Sequence, residues 1–313
     1  MTPPPGPTGT RAERLTDLEY AAAWRLLRVL PTAPTLAAFR RGADVATRRN
    51  GPGVRQLRAN LARVVPTAGP AELDALVRAG MRSYARYWFE AFRLPAMDPV
   101  DLHARTVIDG PGEAPLYAAL DAGRGVVMAL PHIGNWDAAG VWLVQMLRSR
   151  GLPASFTTVA QRLKPESLYR RFVGYRESLG FEVVSAEDGS LAHRAMTRRL
   201  RAGGVVCLVA DRDLTATGVP VSLFGAPARL PAGPARLAAL TGAMVLPTFP
   251  RFTPQGWGVG FDEPVPVAGR TGVAAATQGF ADAMGRMIPR SAADWHVLQP
   301  IWRDADVRSP VPG

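Results

Sequence analysis

Beyond residue 105, short apolar runs alternate with longer amphipathic stretches. Residues 125–130, Gly-Val-Val-Met-Ala-Leu, predict a buried strand, and the pattern over 136–147 predicts a helix. The alternation continues. Strands are expected at 156–159, 181–184, 204–209, 244–249 and 256–261, and helices at 166–179, 191–200, 231–240 and 273–287. This order predicts an α/β fold with a central, mostly parallel sheet flanked by helices. Ahead of it, residues 11–92 read as helical, cut by turn signals at residues 31–34, at Asn50-Gly51-Pro52-Gly53 and between Pro66 and Pro70. Leu73, Leu76, Val77, Tyr84, Trp88 and Phe92 fall close to a 3.6-residue period. We therefore expect one domain over 11–303, a helical section (11–104) leading into an α/β core (105–303). The Pro/Gly-rich residues 1–10 and the tail 304–313 are expected to be disordered.

Composition narrows the function classes. Cys207 is the single cysteine of 313 residues, so neither an intrachain disulfide nor a cysteine-based zinc cluster can form. No apolar run approaches the ~18 residues of a membrane span, and the N-terminus lacks the apolar region of a signal peptide. The expectation is a cytosolic or peripheral protein. The formal charge is +11, carried by 36 arginines and a single lysine, Lys164. A GC-rich genome would produce that bias by itself. Arginine's planar fork also suits phosphate, so nucleic acid, anionic lipid and phosphorylated substrates all stay open.

Several chemistries are excluded by missing motifs. There is no Gly-x-Ser-x-Gly elbow, no Walker loop, no Gly-x-Gly-x-x-Gly after a strand and no His-Glu-x-x-His pair. One histidine stands out. In Leu130-Pro131-His132-Ile133-Gly134-Asn135-Trp136-Asp137 the imidazole lies at the carboxyl end of a predicted strand, where α/β proteins place ligands. Asn135 is a good N-cap, and Asp137 falls in the first helical turn. Bent back through Gly134, Asp137 would reach the imidazole, fix its tautomer and leave the other nitrogen as a general base. The plainer alternative is a capping aspartate beside an unrelated loop histidine. Cys207, in a predicted buried strand, reads as core. His103, His193 and His296 read as surface or packing residues.

The His132-x4-Asp137 block resembles the motif of the lysophospholipid acyltransferase superfamily. Residues 157–166 (Thr-Thr-Val-Ala-Gln-Arg-Leu-Lys-Pro-Glu) and 175–180 (Tyr-Arg-Glu-Ser-Leu-Gly) resemble the branch of lipid A late acyltransferases and actinobacterial phosphatidylinositol mannoside acyltransferases. Residues 210–214 (Ala-Asp-Arg-Asp-Leu), 231–235 (Pro-Ala-Gly-Pro-Ala) and 294–300 (Asp-Trp-His-Val-Leu-Gln-Pro) look like its later blocks. Residues 56–61 (Gln-Leu-Arg-Ala-Asn-Leu) are similar to the mannoside enzymes.

The resemblance implies a glycerol-3-phosphate acyltransferase-like fold. It also implies transfer of a long fatty acyl group from acyl-CoA to a hydroxyl of a membrane glycolipid, foremost a mannose of a phosphatidylinositol mannoside. His132 would be the general base, with no covalent intermediate and no cofactor. Gln161 stands where the mannoside enzymes have a glutamate paired with the histidine. It can accept a hydrogen bond but supplies no charge, so the relay is expected to pass to Asp137. Arg162, Lys164, Arg170, Arg171, Arg176 and Arg212 are expected to bind the phosphates of acyl-CoA or of an anionic acceptor, unless they line a solvated helix face. Arg212 has a further reading, an ion pair between Asp211 and Asp213.

Ala138, Ala139 and Gly140, near Trp136 and Trp142, would leave room for an acyl tail or simply pack tightly. Arg11, Arg14, Arg25 and Arg28 fall on one arc of a helical wheel, a face for anionic lipid at the cytoplasmic side of the cell membrane. Alternatives are an acyl carrier protein as donor with another lipid acceptor, or an inactive lipid-binding homologue. Nucleic acid is not expected as a partner.

Overall fold

The computed structural model describes residues 26–302, apart from 163–165 and 214–216. The expected disorder at 1–10 and 304–313, Lys164, and Arg11, Arg14 and Arg25 all lie outside the described residues.

After helical residues 26–29, the first section holds α1 (Thr32–Arg49), α2 (Pro52–Val64) and α3 (Pro70–Arg93). Their boundaries follow the turn residues. Asn50 closes α1 in the left-handed region at φ 47°, and proline stands at the first position of α2 and of α3, where its missing N–H costs no helical bond. Pro34 does not cut α1, because it falls in the first turn. A short helix α4 (Pro99–Ala104) leads into β1 (Thr106–Asp109), and α5 (Glu113–Asp121) follows. The core continues with β2 (Val126–Leu130), α6 (Trp136–Ser149), β3 (Phe156–Ala160), α7 (Glu166–Ser178), β4 (Phe181–Ser185), α8 (Ser190–Arg201) and β5 (Val205–Val209). A hairpin of β6 (Val219–Leu223) and β7 (Ala226–Leu230) precedes α9 (Gly233–Thr241), β8 (Met244–Phe252), β9 (Trp257–Phe261) and α10 (Val273–Met287). The 3₁₀ segment Ile288–Asp294 follows α10.

The fold is α/β, as the pattern predicts. The seven-stranded sheet has the order β1-β9-β8-β2-β5-β3-β4. Strands β8, β2, β5, β3 and β4 are parallel, while β9 runs against β8 and carries β1 parallel to itself. Strand β2 is covered on both faces, which explains its unbroken apolar run. Val126, Met128 and Leu130 pack with Leu143, Val144 and Leu147 of α6. Ala129 joins a second cluster with Phe280 and Met284 of α10 and with Leu57 and Leu61 of α2. The helical section is thus docked on the core. Buried Asn60 secures it by donating to the carbonyls of Val297 (2.8 Å) and Gln299 (3.0 Å).

Topology decides what meets what at the carboxyl edge. The chain leaves β2, builds β3 and β4, and returns to place β5 between β2 and β3. The register pairs Leu130 with Val209, so the loops after β2 and after β5 start side by side.

Candidate active site

His132 and Asp211 each stand two residues beyond that registered pair. The Asp211 carboxylate is fully buried and reaches the β2 loop from below. Its Oδ1 lies 2.5 Å from Nδ1 of His132, and its Oδ2 accepts the His132 backbone N–H at 2.9 Å. The Trp295 indole N–H donates to the same Oδ2 at 3.0 Å. Burial pushes the Asp211 carboxyl up, but the facing His132 charge and these donors outweigh it and hold it below the usual carboxylate range. An ionised Asp211 only accepts, so Nδ1 carries the proton and Nε2 keeps a lone pair. The His132 side chain is 31% exposed.

The loop holding His132 turns through Gly134 at φ +57°, where a Cβ would sit 2.5 Å from the Pro250 carbonyl oxygen. No other residue fits there. Asn135 caps α6 as expected, accepting from the Ala138 N–H at 2.9 Å. Its amide also donates to buried Glu90 of α3 at 2.8 Å, a carboxylate shared with the Trp257 indole and Arg86.

The carboxylate that meets the imidazole is therefore Asp211 and not Asp137. Asp137 does lie in the first turn of α6, but its carboxylate points away from His132, toward α7 and α3. It accepts from Arg176 Nε at 2.9 Å and from the Tyr87 hydroxyl at 3.2 Å. Burial, and then the Asp137 charge, push the Tyr87 hydroxyl well up, so it stays a donor. Burial would lower the Arg176 guanidinium, but the Asp137 charge outweighs it and keeps it protonated.

Gln161 is exposed just past β3. With β5 intervening, β3 lies two strand spacings from β2, roughly 10 Å. Gln161 makes no hydrogen bond to His132 among the described residues.

The expected basic cluster disperses. Arg176 turns inward to Asp137. Arg162 is exposed and faces Glu187 and Asp188 at 3.7 and 3.9 Å. Arg170 lies 3.5 Å from Glu166. Arg171 is half-buried with a partner of its own. Arg212 is half-buried, with no ion pair among the described residues; its neighbour Asp211 is committed to His132. Arg28 donates to the Phe92 carbonyl at 3.4 Å, so its guanidinium leans on α3.

A cavity of about 70 Å³ runs between the sheet and α6, reaching the Asp137–Arg176 pair; Trp136 lies between it and His132. Trp136, Ala139, Gly140, Trp142 and Leu143 line it on the α6 side, and Met128, Leu130, Cys207 and Val209 on the sheet side. Ala139 and Gly140 line this space, while buried Ala138 packs in the apolar cluster of α6 and the sheet. At Gly140 a Cβ would meet the Phe181 ring at 2.5 Å, so glycine sets how closely helix and sheet approach. Cys207 packs 3.9 Å from the Met128 sulfur, and burial pushes its thiol far up, out of reach of thiolate chemistry.

Of the other histidines, His193 is exposed and His103 stacks on Trp142. His296 is buried in the segment that pairs with the β2 loop. Its backbone N–H donates to the His132 carbonyl at 2.7 Å, and Nε2 lies 2.9 Å from the Ser83 hydroxyl. Burial, and next the His132 charge, press its imidazole down to about 3, so it is neutral near pH 7.

Asp211 and Trp295 are the two site residues that sequence reasoning did not assign. Both lie in blocks singled out for their resemblance, but only the pairing of β2 with β5 aims them at His132.

Among the described residues no helix is long and apolar enough to cross a membrane, and no group of side chains has the makings of a metal site.

The family model for bacterial lipid A biosynthesis acyltransferases matches residues 11–304. A phosphatidylinositol mannoside acyltransferase of Mycolicibacterium smegmatis (strain ATCC 700084 / mc(2)155) is 50% identical over 292 residues, covering 92% of each chain. Proteins of the same name from Mycobacterium tuberculosis are 48% (strain CDC 1551 / Oshkosh) and 47% (strain ATCC 25618 / H37Rv) identical over 304 residues, 96% of this chain and 92% of theirs. With the match running through the helical section, the sheet and the closing segment alike, the chain belongs to the bacterial lipid A biosynthesis acyltransferase family.

Proposed function

We propose that the protein transfers a long-chain acyl group from acyl-CoA to a sugar hydroxyl of a membrane glycolipid, a mannose of a phosphatidylinositol mannoside. The observation that carries this is a partly exposed imidazole backed by a buried carboxylate, next to Trp136, which lines a mostly apolar cavity. The names of the relatives support the acceptor class.

In this reading the acyl chain lies in the cavity beside α6 and presents its thioester to His132. Nε2 takes the proton of the acceptor hydroxyl as its oxygen attacks the thioester carbonyl. Asp211 holds the Nδ1–H tautomer and stabilises the imidazolium that forms. The tetrahedral intermediate collapses, the C–S bond breaks, and the imidazolium returns the proton to the departing CoA thiolate. The proton and the acyl group balance without a covalent enzyme intermediate or a cofactor. An exposed, arginine-rich surface suits anionic lipid, and the protein works as a peripheral protein on the cytoplasmic face of the cell membrane.

The test is thiol release from palmitoyl-CoA by the purified protein, with and without the glycolipid. Release that needs the glycolipid and yields its acylated form supports the reading. Release that ignores the acceptor, or activity with acyl carrier protein alone, replaces it.

A further inference from the structure

Asp211 is fully buried, and protein groups orient it. Two donors meet on Oδ2, the His132 backbone N–H at 2.9 Å and the Trp295 indole N–H at 3.0 Å, while Oδ1 is left for the imidazole. Two donors on one oxygen stop the carboxylate from turning about its Cβ–Cγ bond.

The segment carrying the indole is itself tied to the catalytic loop. Ile133 and Trp295 form an antiparallel bridge. The Gly134 N–H donates to the Asp294 carbonyl at 2.8 Å, and the His296 N–H to the His132 carbonyl at 2.7 Å. Asp294 is pinned in turn by the Ser83 hydroxyl (2.6 Å) and the Phe252 N–H (2.9 Å). The indole is fully buried, packed by Phe224 and Trp302 at centroid distances of 5.8 and 6.4 Å. One strip of backbone thus fixes both members of the dyad.

From this geometry we infer that Trp295 is a positioning residue, whose indole N–H sets the orientation and the effective charge of Asp211 and through it the working range of His132. The inference rests on the dyad reading above. An N–H dipole on a carboxylate partly offsets its charge. Without it, Asp211 is a stronger anion beside the imidazole and favours the protonated form. His132 then becomes a competent base only at higher pH, and its aim is looser. The other titratable groups around the pair are neutral His296 from the closing segment, Asp294 behind Ser83, and, beyond the Trp136 ring, Asp137 with Arg176 and Tyr87.

The experiment measures the pH dependence of kcat/KM for thiol release in the full-length enzyme. Trp295 is replaced by phenylalanine and, to keep the bicyclic shape without an N–H, by benzothienylalanine. Both replacements should move the acidic limb up by ~0.5 pH unit and lower kcat about tenfold. Trp302→Phe disturbs the same aromatic cluster without touching Asp211 and should leave the limb in place. If benzothienylalanine keeps the wild-type limb, or if Trp302→Phe moves it equally, Trp295 acts by packing and the inference falls. Asp211→Asn separates the two levels. A limb that moves with Asp211→Asn but not with the Trp295 replacements overturns only this inference, whereas a limb indifferent to Asp211→Asn overturns the dyad.

Discussion

Two buried carboxylates lie on either side of Trp136. Its ring meets His132 edge-on at 5.7 Å on one side and Tyr87 at 4.1 Å on the other. Asp211, on the first side, is bonded to an imidazole, a side chain able to act as a general base. Asp137, on the second, is bonded to a guanidinium that never does. The first pair can respond to a proton moving on the reacting oxygen. The second has a fixed charge state, joins α6, α7 and α3, and lines the cavity beside α6. A carboxylate five residues past the histidine, in the first helical turn, looks like the natural relay, but its hydrogen bonds go to Arg176 and Tyr87.

Separating the pairs by experiment begins with His132→Ala. It should lower kcat by ~10²–10⁴ while the melting temperature stays at the wild-type value. A folded variant retaining a tenth of wild-type kcat would remove the imidazole from the chemistry. Next, Asp211→Asn should lower kcat on the order of 10²-fold and shift the acidic limb to lower pH, because the anion that favours the protonated imidazole is gone.

Asp137→Ala should act differently. Breaking a buried ion pair costs about 3–5 kcal/mol, so thermal or urea unfolding should register a large loss while the limb stays put. Arg176→Met should destabilise similarly, and the double variant by less than the sum. A moved limb with an unchanged melting temperature would give Asp137 the role assigned here to Asp211.

Gln161→Glu should do least. An exposed charge roughly 10 Å away in water is worth about 0.4 kcal/mol, or ~0.3 pH unit upward in the limb. A shift of a full unit would bring residue 161 against the imidazole.

How much of this was legible beforehand depended on the range of the signal. Residues 273–287 read as a helix and fold as one to the residue, because the apolar period and the caps are local. The β2 run, the Asn135 cap and the exposure of His132 to the carboxyl edge were equally local. The hairpin β6–β7 escaped because Pro220 and Pro227 lie inside its strands, and proline argues against a strand. It tolerates them as a two-stranded ribbon outside the main sheet. Its turn places Phe224 at φ 49°, unfavourable for a bulky residue; contact of that ring with Trp295 and Trp302 holds it there. The His132–Asp211 pairing spans 79 residues. No local period encodes it, since it depends on β5 returning to lie beside β2.

The bridge between Ile133 and Trp295 also imposes an order of events during synthesis. The β2 loop is made early, but the strip that holds it and supplies the Asp211 donor follows α10. As domains fold from the N-terminus while the chain emerges, the sheet and its helices have time to pack before the dyad gains its last partner. Residues 294–296 then dock last, and a chain stopped short of them would carry His132 and Asp211 without the strip that holds both in place.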